Sequence, residues 1–168
     1  MAVPKQLDGP LGGLYLQKGE STTLIEETTR VVNLTGATKT VDASESGCLF
    51  LFNKADGIAV TLPAIAPGLK FRFLFQTAAS GGSTTITAAT GDLLIGGLFM
   101  VDTDSSNAVT HVAPDVSDDL IMTFNGGTQG GLVGTYVEIE AIGKFGIDGR
   151  WLVTGLSRHT SNVATPFS

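Results

Sequence analysis

The chain contains few of the residues from which disulfides, metal sites and catalytic sites are built. Its 168 residues include one cysteine, two histidines and one tryptophan, and 15% of them are charged. A single cysteine excludes an intrachain disulfide. No apolar run approaches the roughly 20 residues that a membrane-spanning helix needs. We therefore expect one domain that is stabilised by its hydrophobic core, without disulfides, metals or a membrane partner.

The charge distribution bears on the class of partner. Acidic residues outnumber basic ones by 16 to 10, and the formal net charge is -6. The basic residues are scattered from Lys5 to Arg158, whereas a nucleic-acid-binding surface needs clustered lysine and arginine. We therefore expect no nucleic-acid partner. The N-terminal sequence lacks the basic and then apolar segments of a signal peptide, which predicts a protein that is made in the cytoplasm and is not secreted by a standard route.

The titratable residues form no recognisable catalytic motif. His111 lies in the strand-like segment AVTHVA, where we interpret it as a structural histidine, and His159 lies near the C-terminus, where we expect it to be exposed. Glu138 and Glu140 share the outer face of an alternating segment, whereas a glycosidase needs carboxylates on both sides of its substrate. The sequence therefore predicts a protein that is not an enzyme and needs no cofactor.

Three other features suggest binding sites but have simpler interpretations. The segment that starts at Asp102 has the opening spacing of a calcium loop, but it lacks the glycine at position six and the glutamate at position twelve. The segment GGTQGGLVG lacks the lysine and the following helix of a phosphate-binding loop. Trp151 would be suited to stacking on a sugar, but it shares a strand face with Val153, which favours a position in the core.

From Val31 onward, short alternating segments are separated by turn residues. In KFRFLFQ, the side chains of Phe71, Phe73 and Phe75 fall on one side, which is the period of a strand with one buried face. Cys48 lies among apolar neighbours in GCLFLFN and is expected in the core. Many short strands at near-regular spacing predict an all-β fold, specifically an antiparallel β-sandwich or a jelly-roll-like barrel, with little or no helix.

Composition divides the chain into three parts. Residues 1–30 are punctuated by proline and glycine and predict an extended N-terminal arm, residues 31–156 predict a single β domain, and residues 157–168 predict a polar tail that is either disordered or a second docking arm. The N-terminal arm carries more apolar residues than a solvated tail normally does. We interpret them as candidate contacts with another subunit, with a free terminus as the alternative. These residues are Leu11, Leu14, Tyr15 and Leu16.

One part of the chain has a recognisable order of β elements. A strand ends in VTLP (Val60–Pro63), a short corner leads to Gly68, and an aromatic-rich strand, a Thr/Ile strand and the turn GDLLIG (91–96) follow. With these elements, the segment from Lys39 to Gly97 resembles a module of virion structural proteins of tailed bacteriophages, especially capsid decoration proteins, head fibres and tail-fibre-like proteins. The resemblance covers about a third of the chain and rests on simple β signals. It implies a non-enzymatic part of a phage particle.

Within that class, the chain is more similar to a capsid decoration, or cement, protein than to a fibre, because fibre proteins are usually longer and carry repeats or coiled-coil stalks. The resemblance implies a location on the capsid surface of the virion, with the major capsid protein and further copies of the same chain, typically in a homotrimer, as partners. Multivalent contact with a repeating lattice would hold such a protein on the head. The alternative is a tail-fibre or tail-tip receptor-binding protein, an adhesin. A glycan hydrolase is the third interpretation.

Overall fold

The structure, a computed structural model, describes residues 15–18, 21–24, 29–104, 108–115, 118–145 and 148–168. Within these ranges the chain forms β-strands and one short 3-10 helix, Ala43–Glu45. The predicted all-β fold is therefore confirmed. The strands are β1 (Tyr15–Lys18), β2 (Ser21–Leu24), β3 (Val31–Leu34), β4 (Thr38–Thr40), β5 (Leu49–Phe52), β6 (Ala59–Thr61), β7 (Lys70–Phe75), β8 (Thr84–Thr87), β9 (Asp92–Gly96), β10 (Leu98–Asp102), β11 (Val109–Val112), β12 (Ile121–Phe124), β13 (Tyr136–Phe145) and β14 (Asp148–His159).

These strands form a large sheet, a small sheet and a separate two-stranded sheet. The large sheet has the order β11-β10-β14-β13-β7-β5-β3, and β9 pairs with β14 off this path. The small sheet has the order β12-β8-β6-β4, and β1 pairs with β2. From β3 to β8 the chain alternates between the two larger sheets. As a result, β3, β5 and β7 are parallel in one sheet, and β4, β6 and β8 are parallel in the other.

Both larger sheets are mixed, which corrects the prediction of an antiparallel fold. Along the segment from β3 to β8, each strand pairs parallel with the next strand but one. β14 also pairs parallel with β9 and with β10, whereas β13 pairs antiparallel with both of its neighbours. An alternating pattern shows which face of a strand is buried, but it carries no information on the direction of the neighbouring strand. Parallel neighbours need a crossover connection. Here the crossover between two parallel neighbours, such as β3 and β5, contains a strand of the other sheet, such as β4.

One hydrophobic core is built from both larger sheets. Phe71, Phe73 and Phe75 point inward from β7, as predicted, and none of them is more than 1% exposed. The ring of Phe75 lies 5.2 Å from that of Phe124 on β12, which is a contact between the two sheets. Trp151 of β14 is fully buried, as expected, with its ring 5.9 Å from that of Phe71. Burial of several aromatic side chains of this size stabilises the domain, because it removes large apolar surfaces from water.

The C-terminal segment packs against its own domain, unlike the free or docking tail that we expected. β14 continues to His159, three residues beyond the predicted boundary at residue 156. Further on, Phe167 is buried and forms an isolated bridge with Met122 of β12. The backbone N–H of Thr123 donates to the carbonyl oxygen of Pro166 at 2.7 Å. One large apolar side chain thus anchors an otherwise polar segment along β12, and this contact covers a strand edge.

Candidate interaction surface

The four apolar residues of the predicted arm are only partly described. Leu11 and Leu14 lie outside the described residues. Tyr15 and Leu16 belong to β1, which pairs antiparallel with β2 so that Tyr15 is opposite Leu24. The described part of the arm therefore contains two paired antiparallel strands. The role of these four residues as contacts with a capsid or another subunit stays a prediction.

A row of largely apolar side chains, which no sequence pattern predicted, crosses the outer face of the large sheet. The strand register places His111 opposite Phe99, Phe99 opposite Leu156, and Leu156 opposite Tyr136. Residues that are paired in this way point to the same face of the sheet. The buried neighbours of Phe99 along β10 point to the core, so the row faces away from it. The pairing of Tyr136 with Leu74 extends the row onto β7.

The end of this row that lies on β10, β11 and β14 is exposed. Phe99 is 54% exposed, Leu156 is 38% exposed, and Val109, two residues from His111, is 62% exposed. The His111 ring packs edge-on against the Phe99 ring, with 5.2 Å between centroids. Single exposed apolar residues are ordinary, but a contiguous group often marks an interaction surface. We refer to Phe99, Val109, His111 and Leu156 as the outer-face patch.

A strand edge of the large sheet borders this patch. In the described part of the chain β11 is the last strand on that side, and its sequence, VTHV, contains no proline, lysine or acidic residue. Native proteins usually protect such an edge with charges, proline or a covering segment. The C-terminal segment covers β12 in this way, and Lys39 places a charge on β4. In the described part of the chain neither kind of protection is found at the edge of β11, so its backbone is suited to pairing with another chain.

The two histidines have environments opposite to those predicted. His111 is exposed on β11, because this strand is at the edge of the sheet and has exposed side chains on both faces. His159 is 4% exposed, and its Nδ1 lies 2.6 Å from the carbonyl oxygen of Ser161. Inward and outward side chains alternate along β14 as far as His159, and the His159 side chain falls on the inward face. No group of three or more potential metal-ligating residues occurs among the described residues.

An ion pair lies beside the row, on the outer face of β7 and β13. The Nζ of Lys70 is 2.7 Å from Oε1 of Glu138, and the hydroxyl of Tyr136 donates to Oε2 at 3.0 Å. The hydrogen bond from Lys70 has the largest effect on the pKa of Glu138. Together with the bond from Tyr136 it outweighs partial burial and holds this pKa below its usual 4.5. Glu138 is therefore an anion at neutral pH. Its carboxylate accepts hydrogen bonds from Lys70 and Tyr136 and carries no proton to donate. As predicted, its side chain lies on the outer face.

This ion pair predicts a pH-dependent contribution to stability. Because the pKa of Glu138 is lower in the folded state, its contribution is fully present above the unfolded-state pKa and is lost as the pH falls through the folded-state pKa. We expect Glu138→Gln to be less stable than the wild type at pH 7, with the difference disappearing once the pH falls below the folded-state pKa. Urea unfolding from pH 7 to below that pKa checks the prediction. Glu140→Gln is the control, because Glu140 lies 3.9 Å from Lys70 and is more exposed. Equal effects of the two changes at pH 7 would contradict it.

Two of the other candidate features have structural explanations, whereas the segment that starts at Asp102 lies partly outside the described residues. Trp151 is buried and is therefore not available for stacking on a sugar. The turn at the start of the segment GGTQGG is stabilised by Asn125, whose Oδ1 accepts hydrogen bonds from the backbone N–H groups of Gly127 and Gln129.

Among the described residues, no helix has the length and apolar character of a membrane span.

Comparison of the chain with models of protein families, with curated proteins and with solved structures found no match.

Proposed function

We propose that the protein is a non-enzymatic structural protein of a bacteriophage virion, a capsid decoration protein that binds the outer capsid surface and stabilises the head. The observation that carries this proposal is the outer-face patch, which lies beside the edge strand β11. A partner that covered Phe99 and Leu156 would remove large apolar surfaces from water, at about 25 cal/mol per Å². The resemblance of the segment from Lys39 to Gly97 to phage virion modules supports a virion as the place where such a partner is found.

The proposal includes the arrangement of layers and of subunits. The contact between Phe75 and Phe124 supports a two-layer sandwich of the large and small sheets. The proposed partners are the major capsid protein and two further copies of the chain in a homotrimer. Closed symmetry satisfies identical patches in every copy, and a repeating lattice multiplies contacts that are modest individually. On this proposal the chain is made in the host cytoplasm and becomes part of the capsid surface.

The first test is co-sedimentation of the purified protein with empty phage capsids, with the number of copies per capsid as the result. We expect saturation at a large copy number that matches the capsid symmetry. Phe99→Glu places a charge in the centre of the patch and is expected to weaken capsid binding at least about tenfold, which corresponds to about 1.4 kcal/mol. The matched control is Val163→Glu, because Val163 is also exposed but lies in the C-terminal segment.

The possible results of this test separate the interpretations. Binding that Phe99→Glu and Val163→Glu weaken equally would contradict the role of the patch. A variant without residues 1–30 tests the arm, and undiminished binding by it would contradict the assignment of Leu11, Leu14, Tyr15 and Leu16. If the protein does not bind capsids and instead sediments with phage tails or binds host cells, the decoration role is wrong and the receptor-binding alternative replaces it.

A further inference from the structure

A polar cleft of about 400 Å³ opens where β3 and β5 begin. Its lining includes the side chains of Arg30 and Arg72, the hydroxyl-bearing residues Thr29 and Ser46, and Gly47. The two arginines are 42 positions apart in the sequence and come together because β3, β5 and β7 are neighbours in the large sheet. A volume of this size is in the range of small-molecule sites, roughly 300 to 1,000 Å³. It is larger than a single inorganic anion needs.

The guanidinium group of Arg72 is held in a fixed position. Its Nη2 donates to Oγ1 of Thr29 at 3.1 Å and to the carbonyl oxygen of Gly47 at 3.0 Å. In the described part of the chain these are its hydrogen bonds, so the N–H groups on Nη1 and Nε remain available to a ligand. An arginine that is already oriented loses less conformational entropy when it binds an anion.

Arg30 is tethered more loosely on the other side of the cleft. Its Nε donates to Sγ of Cys48 at 3.2 Å, and its Nη2 is 3.7 Å from Oε1 of Glu45. Cys48 itself is buried, as predicted. The Arg30 side chain is 59% exposed, so a ligand in solution has access to it. This arginine is therefore able to close on a ligand that Arg72 holds.

Among the described residues, two acidic side chains close to the cleft are each paired with a lysine. Both carboxylate oxygens of Glu45 accept hydrogen bonds from Nζ of Lys39, at 2.8 and 2.7 Å. The Glu138 carboxylate pairs with Lys70 through Oε1 alone. Glu45 also lies within ion-pair distance of Arg30, and Glu138 is opposite Arg72 in the strand register. With Glu140 included, four positive side chains meet three negative ones, which leaves a small positive excess in an acidic protein.

The hydroxyl groups of the lining indicate the kind of anion. Oγ of Ser46 accepts a hydrogen bond from the backbone N–H of Lys70 at 3.0 Å, which leaves the hydroxyl proton of Ser46 free to be donated. A lining of hydroxyls, backbone groups and guanidinium groups offers many hydrogen bonds and little apolar contact. Such a lining suits a ligand that carries several hydroxyl groups. Arginine in turn matches the planar geometry of a carboxylate, which it binds through two parallel hydrogen bonds.

We propose that this cleft binds an acidic sugar, with the sugar carboxylate bound by Arg30 and Arg72 and the sugar hydroxyls bound by Ser46 and neighbouring backbone groups. The proposal is independent of the capsid role, because the cleft and the outer-face patch share no residue. A decoration protein with this site would also attach the particle to surfaces that carry acidic polysaccharide. A receptor-binding protein would use the same site for its receptor.

Saturation-transfer NMR and titration with D-glucuronate test the proposal, with D-glucose as the matched sugar that lacks the carboxylate. We expect saturable binding of glucuronate and at least tenfold weaker binding of glucose. Arg30→Gln is expected to weaken glucuronate binding at least tenfold. It should fold normally, because the Arg30 side chain is largely exposed, and a thermal melt checks this. Arg158→Gln is the control, since Arg158 is exposed, undergoes the same change of charge and lies outside the cleft.

Several results would overturn the assignment. Equal binding of glucose and glucuronate would show that the arginines do not recognise a carboxylate. Tighter binding of inorganic phosphate would indicate a general anion site, and tighter binding of a triglutamate peptide would indicate a site for acidic protein segments. Equal effects of Arg30→Gln and Arg158→Gln would place the binding elsewhere. Failure of capsid co-sedimentation leaves all of these measurements interpretable.

Discussion

Replacing Phe73 by alanine is expected to lower the free energy of unfolding by about 3 to 5 kcal/mol. Phe73 is fully buried at the centre of β7, and its ring stacks on Phe50 at 5.2 Å and on Phe52 at 5.7 Å. Alanine would remove the transfer free energy of the ring and leave a cavity, because the neighbouring aromatic rings are anchored on β5 and can close only part of the space.

Urea unfolding followed by the fluorescence of Trp151 measures this loss, because the single tryptophan is fully buried in the same core. The control is Phe99→Ala, which deletes the same atoms from a side chain that is 54% exposed. We expect this control to stay within about 0.5 kcal/mol of the wild type in the monomer. Both variants are measured at two protein concentrations, so that any loss of association through the outer-face patch is seen separately. Equal losses in the two variants would show that Phe73 is not a core residue.

The faces of individual strands could be predicted because the information is local. Period-two alternation over a few residues is enough to bury Phe71 and Phe75 and to turn Glu138 outward. The strand face that Trp151 shares with Val153 predicted its core position, and the apolar neighbours of Cys48 predicted the same for the cysteine; both are buried in the structure. This reasoning failed for the histidines, because alternation alone does not show that β11 lies at the edge of a sheet. It also overlooked Phe167, since one apolar residue has no period.

The candidate sites could not be predicted, because they depend on which strands are neighbours. The outer-face patch is one row only because β10 pairs with both β11 and β14, which places Phe99 between His111 and Leu156. The arginine cleft likewise needs Arg72 beside Thr29, a contact between residues 43 positions apart. Strand order and direction are set by the packing of the whole domain. They are not encoded in the alternation of any one strand.

A pair of glycine substitutions tests the parallel crossovers, which are the least expected part of the fold. Gly57 lies in the connection from β5 to β6 with φ of +84°, and a Cβ atom there would overlap the backbone carbonyl oxygen of Ser83. Ser83 lies in the connection from β7 to β8, which also leads from the large sheet to the small sheet. The backbone N–H of Gly81 also donates to the carbonyl oxygen of Ala55 at 2.9 Å. The β5–β6 and β7–β8 connections thus pack backbone against backbone, which leaves no room for a side chain at Gly57.

We expect Gly57→Ala to lower the free energy of unfolding by about 2 to 5 kcal/mol, of which about 1 to 2 is the cost of a left-handed conformation and the rest is the cost of overpacking. Gly91→Ala isolates the first part, because Gly91 has a φ of +86° and no atom within 4 Å of the added Cβ. Its expected loss is therefore about 1 to 2 kcal/mol. Urea unfolding of both variants measures the difference. If the two losses are the same, the crossovers do not stack as the parallel pairing requires, and the neighbouring strands that form the arginine cleft would have to be assigned again.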